Sequence, residues 1–340
     1  MAPAQVEVLV TIPFDDPLID QLRQISPRLK IIAQPAHRVE EIPIEVWNRI
    51  EVLYTDRVLP DPGLVPALRW LQFHSAGIDF AVESPLLKNR NIVVTTLSGA
   101  AAPQMAEYAV TMILALGHRM YEIYNNQNRL EWPHDRWDLF SPLELRGSTV
   151  GIVGYGSIGR EIARLLQPFG TTILATKRDV RHPQDAGYTE EGLGDPEGNY
   201  FTRLYPIQAL KSMLKLCDFV IVCVPLTAET RNLISEEELA VMKSTAHLVN
   251  IGRGGVVDQA ALFTALQEHH LAGVAMDVFA EEPLPPGSPF WRMPNVIVTP
   301  HIGGISVAYQ YRAMKLFVEN LKRYLEGITL LNRFDFMRGY

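Results

Sequence analysis

The sequence predicts an α/β protein of two domains, the larger a doubly wound parallel sheet. Three observations predict it. A chain of 340 residues is long enough for two domains of ordinary size, each with its own core. From residue 149 onward, short β-branched runs alternate with helical periods, the pattern of parallel βαβ units. Those runs are apolar almost throughout, as strands covered on both faces are.

In the first hundred residues the candidate strands are VEVLVTI, EVLYT, LRWLQF and NIVVTT, each bounded by Pro, Asp or Gly. Further on, TVGIVG leads into the helical SIGREIARLLQPF and then TTILAT; later strands are DFVIVCV, AHLVNI, LAGVAMDVF and NVIVTP. Between them Ser235 and Glu238 stand at capping-box spacing, and Asp258 is placed as the N-cap of DQAALFTALQEH. The stretch 179–206 is rich in Gly, Pro and Asp and longer than an ordinary βα connection, so it is expected as a surface excursion without strands. The closing AYQYRAMKLFVENLKRYLEGI reads as an amphipathic helix. Residues 102–301 are therefore expected to form one domain, with 1–101 and 302–340 together making the second.

Composition narrows the function. Hydrophobic residues at 47% and charged residues at 20% fit a globular protein. A formal net charge of -7 disfavours a general affinity for nucleic acid or an anionic membrane. Cys217 and Cys223 are the only cysteines and have no CxxC partner, which points to a reducing compartment, buried thiols and no metal site. The opening run lacks the charged start of a signal peptide, and the most apolar helical stretch, MAEYAVTMILALG, is too short and too polar to cross a bilayer. The expected location is the cytoplasm.

GIVGYGSIGREIA holds Gly154, Gly156 and Gly159 in G-x-G-x-x-G spacing, after a strand and at the start of a helix. That context makes it a dinucleotide signature: a tight turn at Gly154, backbone approach to a pyrophosphate at Gly156, and close helix–strand packing at Gly159. Helix-terminal N–H groups then face the anion. The next strand should end in an acid that accepts from the adenosine ribose, yet Thr176 is followed by Lys177 and Arg178. Two cations and a hydroxyl suit a 2′-phosphate, at roughly 1.5–3 kcal/mol per charge-assisted hydrogen bond, so NADP is expected over NAD. Asp179 weakens that reading by offering a carboxylate nearby.

Three later strand ends carry polar residues: VNIGRGG with Arg253, AMDVFAEEP with Asp277 and Glu282, and TPHIGG with His301. Ligands bind at the carboxyl ends of parallel strands. An Arg fork holds a carboxylate, and a His exchanges a proton with a carbonyl or hydroxyl, with a Glu beside it to orient the ring.

With these segments in order, the chain resembles the D-isomer-specific 2-hydroxyacid dehydrogenases. GIVGYGSIGREIARLLQPFG, CVPLTAETRNLI, LVNIGRGGVVDQAAL, GVAMDVFAEEPLPP and VTPHIGG carry the likeness, and the weaker FHSAGID and APQMAEYAV extend it toward the N-terminus. The resemblance implies a Rossmann domain with a smaller flavodoxin-like substrate domain. It further implies that Arg253 binds and polarises the substrate, that His301 is the general acid partnered by Glu282, and that Asp277 holds the nicotinamide carboxamide. Ser157, Ile158, Val224, Pro225, Thr230, Ile251 and Gly252 would line the cofactor, and the N–H groups of Ser75, Ala76 and Gly77 would cradle the substrate carboxylate. It implies a homodimer built through NRLEWPHDRWDLFSPLELRG. Three departures stand out: Cys223 where many relatives have His, the missing acid after TTILA, and the 179–206 insertion.

The leading expectation is an NADPH-dependent reductase of small 2-oxo acids, of the glyoxylate or hydroxypyruvate class, with NAD as the alternative cofactor. A dinucleotide-sensing, corepressor-like binding protein and a phosphoglycerate-type dehydrogenase are the alternative functions.

Overall fold

The structure, a computed structural model, describes residues 5–185 and 187–340. Among these, twelve strands form two wholly parallel sheets. The five-stranded sheet contains β1 (Val6–Val10), β2 (Leu29–Ala33), β3 (Val52–Thr55), β4 (Trp70–Phe73) and β5 (Val93–Thr95) in the order β2-β1-β3-β4-β5. The seven-stranded sheet contains β6 (Thr149–Val153), β7 (Thr172–Thr176), β8 (Arg203–Tyr205), β9 (Phe219–Val222), β10 (His247–Asn250), β11 (Gly273–Met276) and β12 (Val296–Val298), ordered β12-β11-β10-β9-β6-β7-β8. The first order is the flavodoxin-like one and the second the Rossmann order with one strand added, so the α/β fold expected from the sequence is the fold observed. The chain divides into two compact units, Met1–Ala101 with Ser306–Tyr340, and Ala102–Ile305.

Period-two alternation explains the smaller unit. Leu9, Leu53, Leu71 and Phe73 pack on one face of its sheet, while Val8, Val10, Val52, Tyr54 and Trp70 pack on the other. The second face is covered by Met314, Phe317 and Leu321 of the helix Tyr309–Glu326. Each fully buried side chain of this kind contributes about 1.5–3 kcal/mol, and this burial ties the C-terminal helix to strands more than two hundred residues away in sequence. In the larger unit, the helix Ser157–Leu166 buries Ile162, Ala163 and Leu166 and packs against the helix Ala102–Gly117.

Both anticipated caps are present. Asp258 accepts from the N–H groups of Ala260 and Ala261 at 3.0 and 3.1 Å, and the Glu238 carboxylate takes the Ser235 N–H at 3.2 Å. Two strands escaped the sequence reading. β2 and β8 lie at sheet edges, where one side of a strand has no partner and the apolar pattern is weak. The 179–206 excursion therefore ends in a strand, pairing β8 with β7.

Candidate active site

The sheet order reverses between β6 and β9, and the glycine-rich turn follows β6 at that point. Gly154 has φ +110°, a conformation that L side chains rarely adopt. A Cβ on Gly159 would stand 2.2 Å from the Gly154 carbonyl oxygen, so helix and turn meet only because that side chain is missing. A Cβ on Gly156 would meet nothing within 4 Å, which leaves the N-terminus of the helix Ser157–Leu166 open in front. That cradle fits a pyrophosphate. Cys223, just after β9, donates its Sγ hydrogen to the Gly154 carbonyl at 3.1 Å, and burial pushes its thiol up to about 12. It is a neutral support for the turn. Val224 and Pro225 follow it, and Thr230 Oγ1 donates to the Pro225 carbonyl at 2.6 Å, fixing that loop.

The residues after β7 make their contacts within the protein. Thr176 is buried, and its Oγ1 accepts from the Gly154 N–H at 3.1 Å. Its hydroxyl thus braces the glycine turn. Lys177 Nζ donates to the carbonyls of His182 and Gln184 at 2.5 and 2.9 Å, and burial, then the Arg160 charge, holds its pKa below the usual lysine value. Arg178 pairs with Glu229 at 3.1 Å, and Asp179 with His182 at 2.7 Å.

The inserted segment is docked on the cradle helix. Arg160, 1% exposed, donates to the carbonyls of Asp195 and Pro183 and lies 3.4 Å from the Asp185 carboxylate. Tyr155 Oη donates to Asp195 at 2.6 Å, and Glu161 accepts the Gly194 N–H at 2.6 Å.

At the other half of the sheet, β10, β11 and β12 are neighbours, so the residues past their ends share one edge. Arg253 lies three residues beyond β10. Asn250, fully buried, accepts from the Gly252 N–H at 3.1 Å and donates to the Arg253 carbonyl at 3.2 Å, shaping the turn that carries Ile251, Gly252 and the arginine. A Cβ on Gly254 would lie 1.9 Å from the Phe279 backbone; the Arg253 turn thus packs directly on the loop after β11. In that loop Glu282 Oε1 accepts the Phe279 N–H at 2.8 Å, while its Oε2 lies 2.8 Å from His301 Nδ1.

Asp277, 2% exposed, takes three hydrogen bonds: Thr299 Oγ1 at 2.7 Å and the N–H groups of Ile302 and Gly303, each at 2.8 Å. Its own carbonyl accepts the His301 N–H at 2.9 Å. His301 has φ 55°, a left-handed conformation that a non-glycine residue keeps only when its surroundings hold it there. Here the Asp277 carboxylate holds it. Tyr108, pushed up to about 12 chiefly by burial, stays protonated and donates to Thr299, which in turn donates to Asp277. The structure thus brings His301, Glu282 and Asp277 together and sets Arg253 on the neighbouring strand end. Asn250, Thr299, Tyr108 and Arg160 belong to this framework and had no role assigned although they lie inside the quoted segments; Asn250 and Arg160 bond mainly to backbone groups, and Tyr108 and Thr299 to side chains distant in sequence, partners that no local pattern marks.

Ser75, Ala76 and Gly77 follow β4 in the smaller unit. Ser75 Oγ donates to the Gly77 carbonyl at 3.1 Å, and the Ser75 carbonyl accepts the Leu97 N–H at 2.9 Å.

A glycine cradle at the switch point of a doubly wound sheet, with Arg, Glu and His along its later strand ends, defines a dinucleotide-dependent oxidoreductase. Comparison with known proteins gives the family. The model of the D-isomer specific 2-hydroxyacid dehydrogenase NAD binding domain matches residues 110–303. The glyoxylate reductase of Thermofilum pendens is 37% identical over 81% of this chain and 77% of its own. Glyoxylate/hydroxypyruvate reductase B of Salmonella newport is 34% identical over 77% and 76%. A D-isomer specific 2-hydroxyacid dehydrogenase from Xanthobacter autotrophicus Py2, solved with NADPH and MES, superposes with a TM-score of 0.78 at 27% identity, over 99% of this chain and 100% of that one. The chain belongs to the D-isomer-specific 2-hydroxyacid dehydrogenase family and is an NAD(P)-dependent oxidoreductase.

Proposed function

We propose that this protein reduces a small 2-oxo acid of the glyoxylate or hydroxypyruvate class to the D-2-hydroxy acid, with NADPH preferred over NADH. The observation that carries it is the 2.8 Å contact of His301 Nδ1 with Glu282. That contact occupies one ring nitrogen and leaves Nε2 as the atom that passes a proton to the substrate oxygen. Relatives named for glyoxylate and hydroxypyruvate reduction, at 37% and 34% identity, support the substrate class.

Gly154, Gly156, Ser157, Ile158 and Gly159 hold the pyrophosphate in this reading, with Val224, Pro225, Thr230, Ile251 and Gly252 lining the rest of the cofactor. A bound nicotinamide supplies the hydride. Arg253 offers a planar fork to the substrate carboxylate and carbonyl. Asp277 fixes the 301–303 turn and presents its remaining acceptor capacity to the carboxamide. Ser75, Ala76 and Gly77, on the substrate domain, bind the carboxylate. Glu282 keeps the His301 ring in register while the proton leaves and returns.

The NADPH preference rests on the missing acid after β7 and on Arg178. Its ion pair with Glu229 is exposed, worth at most about 1 kcal/mol, and so yields readily to a dianionic phosphate. Lys177 adds charge to the same region while its ammonium stays on the loop carbonyls. A homodimer through residues 128–147 also belongs to the reading.

The test is kcat/KM for glyoxylate, hydroxypyruvate, pyruvate and phenylpyruvate, each with NADPH and NADH. We expect turnover of the first two with NADPH favoured at least tenfold, the discrimination that one charge-assisted hydrogen bond gives. His301→Ala should lower kcat by about 100-fold or more while leaving the NADPH Kd unchanged. Absence of turnover with every acid, or an active His301→Ala enzyme, overturns the reading.

A further inference from the structure

His74 immediately precedes the substrate turn and is held at three points. Its N–H donates to the Thr55 carbonyl at 2.7 Å, its carbonyl accepts Tyr309 Oη at 2.8 Å, and its Nδ1 lies 2.7 Å from Tyr54 Oη. Aromatic edges close around the ring: Phe14 at 5.5 Å and 79°, and Tyr309 at 5.3 Å and 82°. Tyr54 is itself fully buried under Phe317, 4.5 Å away. All of these residues belong to the smaller unit.

The proton inventory follows from these contacts. Burial, then the nearby Tyr309 and Asp56, raises the Tyr54 pKa well above the usual tyrosine value. Tyr54 therefore keeps its hydrogen. Tyr309 is raised as well, by burial and then Asp56, and its hydrogen is directed at the His74 carbonyl. Burial lowers His74 to about 4, against a smaller opposing effect of Asp56. A neutral ring whose Nδ1 accepts from the Tyr54 hydroxyl carries its single ring proton on Nε2. The titratable groups facing the ring are Tyr54, Tyr309 and Asp56.

We propose that His74, clamped between Tyr54 and Tyr309, is a neutral Nε2–H imidazole and the positioning residue that fixes the turn of Ser75, Ala76 and Gly77 for an anionic substrate group. This rests on the assignment of that turn to the substrate carboxylate. A turn that binds through backbone N–H groups has no side chain to re-aim, so its affinity depends on how firmly the peptide planes are held. His74 fixes the plane entering the turn through the Tyr309 hydroxyl on its carbonyl. The imidazole in turn blocks rotation of that residue. Protonation would make Nδ1 a donor, and the Tyr54 hydroxyl would have to turn its hydrogen away to accept from it.

Tyr309→Phe removes one hydroxyl and keeps the ring edge against His74. The expected result is a KM for the 2-oxo acid raised roughly tenfold, the worth of about 1.4 kcal/mol, with kcat little changed and the NADPH Kd, read by fluorescence titration, unchanged. Tyr54→Phe should act in the same direction. Nitrogen-15 spectra of histidine-labelled protein read the ring directly: the His74 signals, assigned as those that a His74→Gln variant lacks, should stay those of a neutral Nε2–H ring from about pH 8 down to about pH 5, where His247 is the other ring that burial keeps neutral. A His74 ring that carries its proton on Nδ1 or is charged near pH 7, or a Tyr309→Phe enzyme whose KM is unmoved, overturns the proposal. Ser75→Ala and Gly77→Pro separate the two readings. If they raise KM and Tyr309→Phe does not, the clamp is wrong; if they leave KM unmoved while His301→Ala is inactive, the assignment of the turn is wrong.

Discussion

Asp277 was placed by its motif on the nicotinamide, but what it visibly does is fix a turn. Three hydrogen bonds converge on its buried carboxylate, two of them from the backbone of the residues after His301. Replacing it with Asn turns one acceptor oxygen into a donor against an N–H, leaving a buried polar clash worth about 1–3 kcal/mol. Asp277→Asn should therefore lower the melting temperature and reduce kcat together; a stable enzyme that loses only cofactor affinity would show that Asp277 acts on the cofactor alone. His247 makes a separate prediction. Its Nδ1 is buried without a hydrogen-bond partner among the described residues, its ring stacks 5.5 Å from Phe219, and burial, then Arg119, lowers it from 6.5 to about 4. The unfolded chain takes up that proton first, so stability is lost as pH falls from about 6.5 toward about 4. His247→Phe keeps the stack and removes the titration. Its melting temperature should fall less between neutral pH and pH 5 than that of the wild type, a relief of about 2 kcal/mol at most.

The element that departs most from its sequence reading is the 179–206 insertion. Its composition announced a surface excursion, and much of it is exposed, yet its inner turn is fastened to the cradle helix by Arg160, Glu161 and Tyr155. Tyr155 sits between the motif glycines and Arg160 and Glu161 directly follow the last of them, where a motif reading assigns meaning to the glycines and passes over the neighbouring side chains. Their partners lie 23 to 35 residues further on and are largely carbonyls and N–H groups. Arg160→Leu removes a buried guanidinium from two carbonyls, each such bond being worth about 1.5–3 kcal/mol. The insertion should then be cleaved by trypsin at Arg181 in minutes while β6 to β12 stay intact. If Lys177 depends on the carbonyls of His182 and Gln184 for its position, the NADPH Kd should rise as well. Unchanged cleavage would mean that Tyr155 and Glu161 hold the segment without the arginine. The well-read elements are the opposite case: the Asp258 cap and the strand β9 depend on neighbours in sequence or on burial of every residue, and both signals are local.

For the molecule as a whole, the sequence leads one to expect the C-terminal helix with the first hundred residues, because that helix has an apolar face and no strand signal beside it. The exact crossing was not legible. Residues 302–305 stay with the larger unit since Asp277 takes the N–H groups of Ile302 and Gly303, a tie made by backbone atoms. The cradle glycines and the strand-end residues are proposed from spacing and context, and the substrate loop from the family resemblance; the clamps beneath them left no mark in the sequence. One large surface feature remains to be covered. The arm 128–147 exposes Leu130 at 94%, Trp132 at 81% and Trp137 at 74%. Leu130 and Trp132 line one groove with Ile123, Asn126, Gln127 and Phe140. Adjacent apolar side chains this exposed suit an interface, and the proposed homodimer would cover them with a second copy of the chain. Sedimentation should show a particle of twice the chain mass. Leu130→Asp combined with Trp132→Asp puts two charges into that face and should give monomers. Because no residue assigned to the cradle lies in the arm, those monomers should still bind NADPH. A wild-type protein that sediments as a monomer would overturn the homodimer, and a double variant that still pairs would place the contact between copies elsewhere.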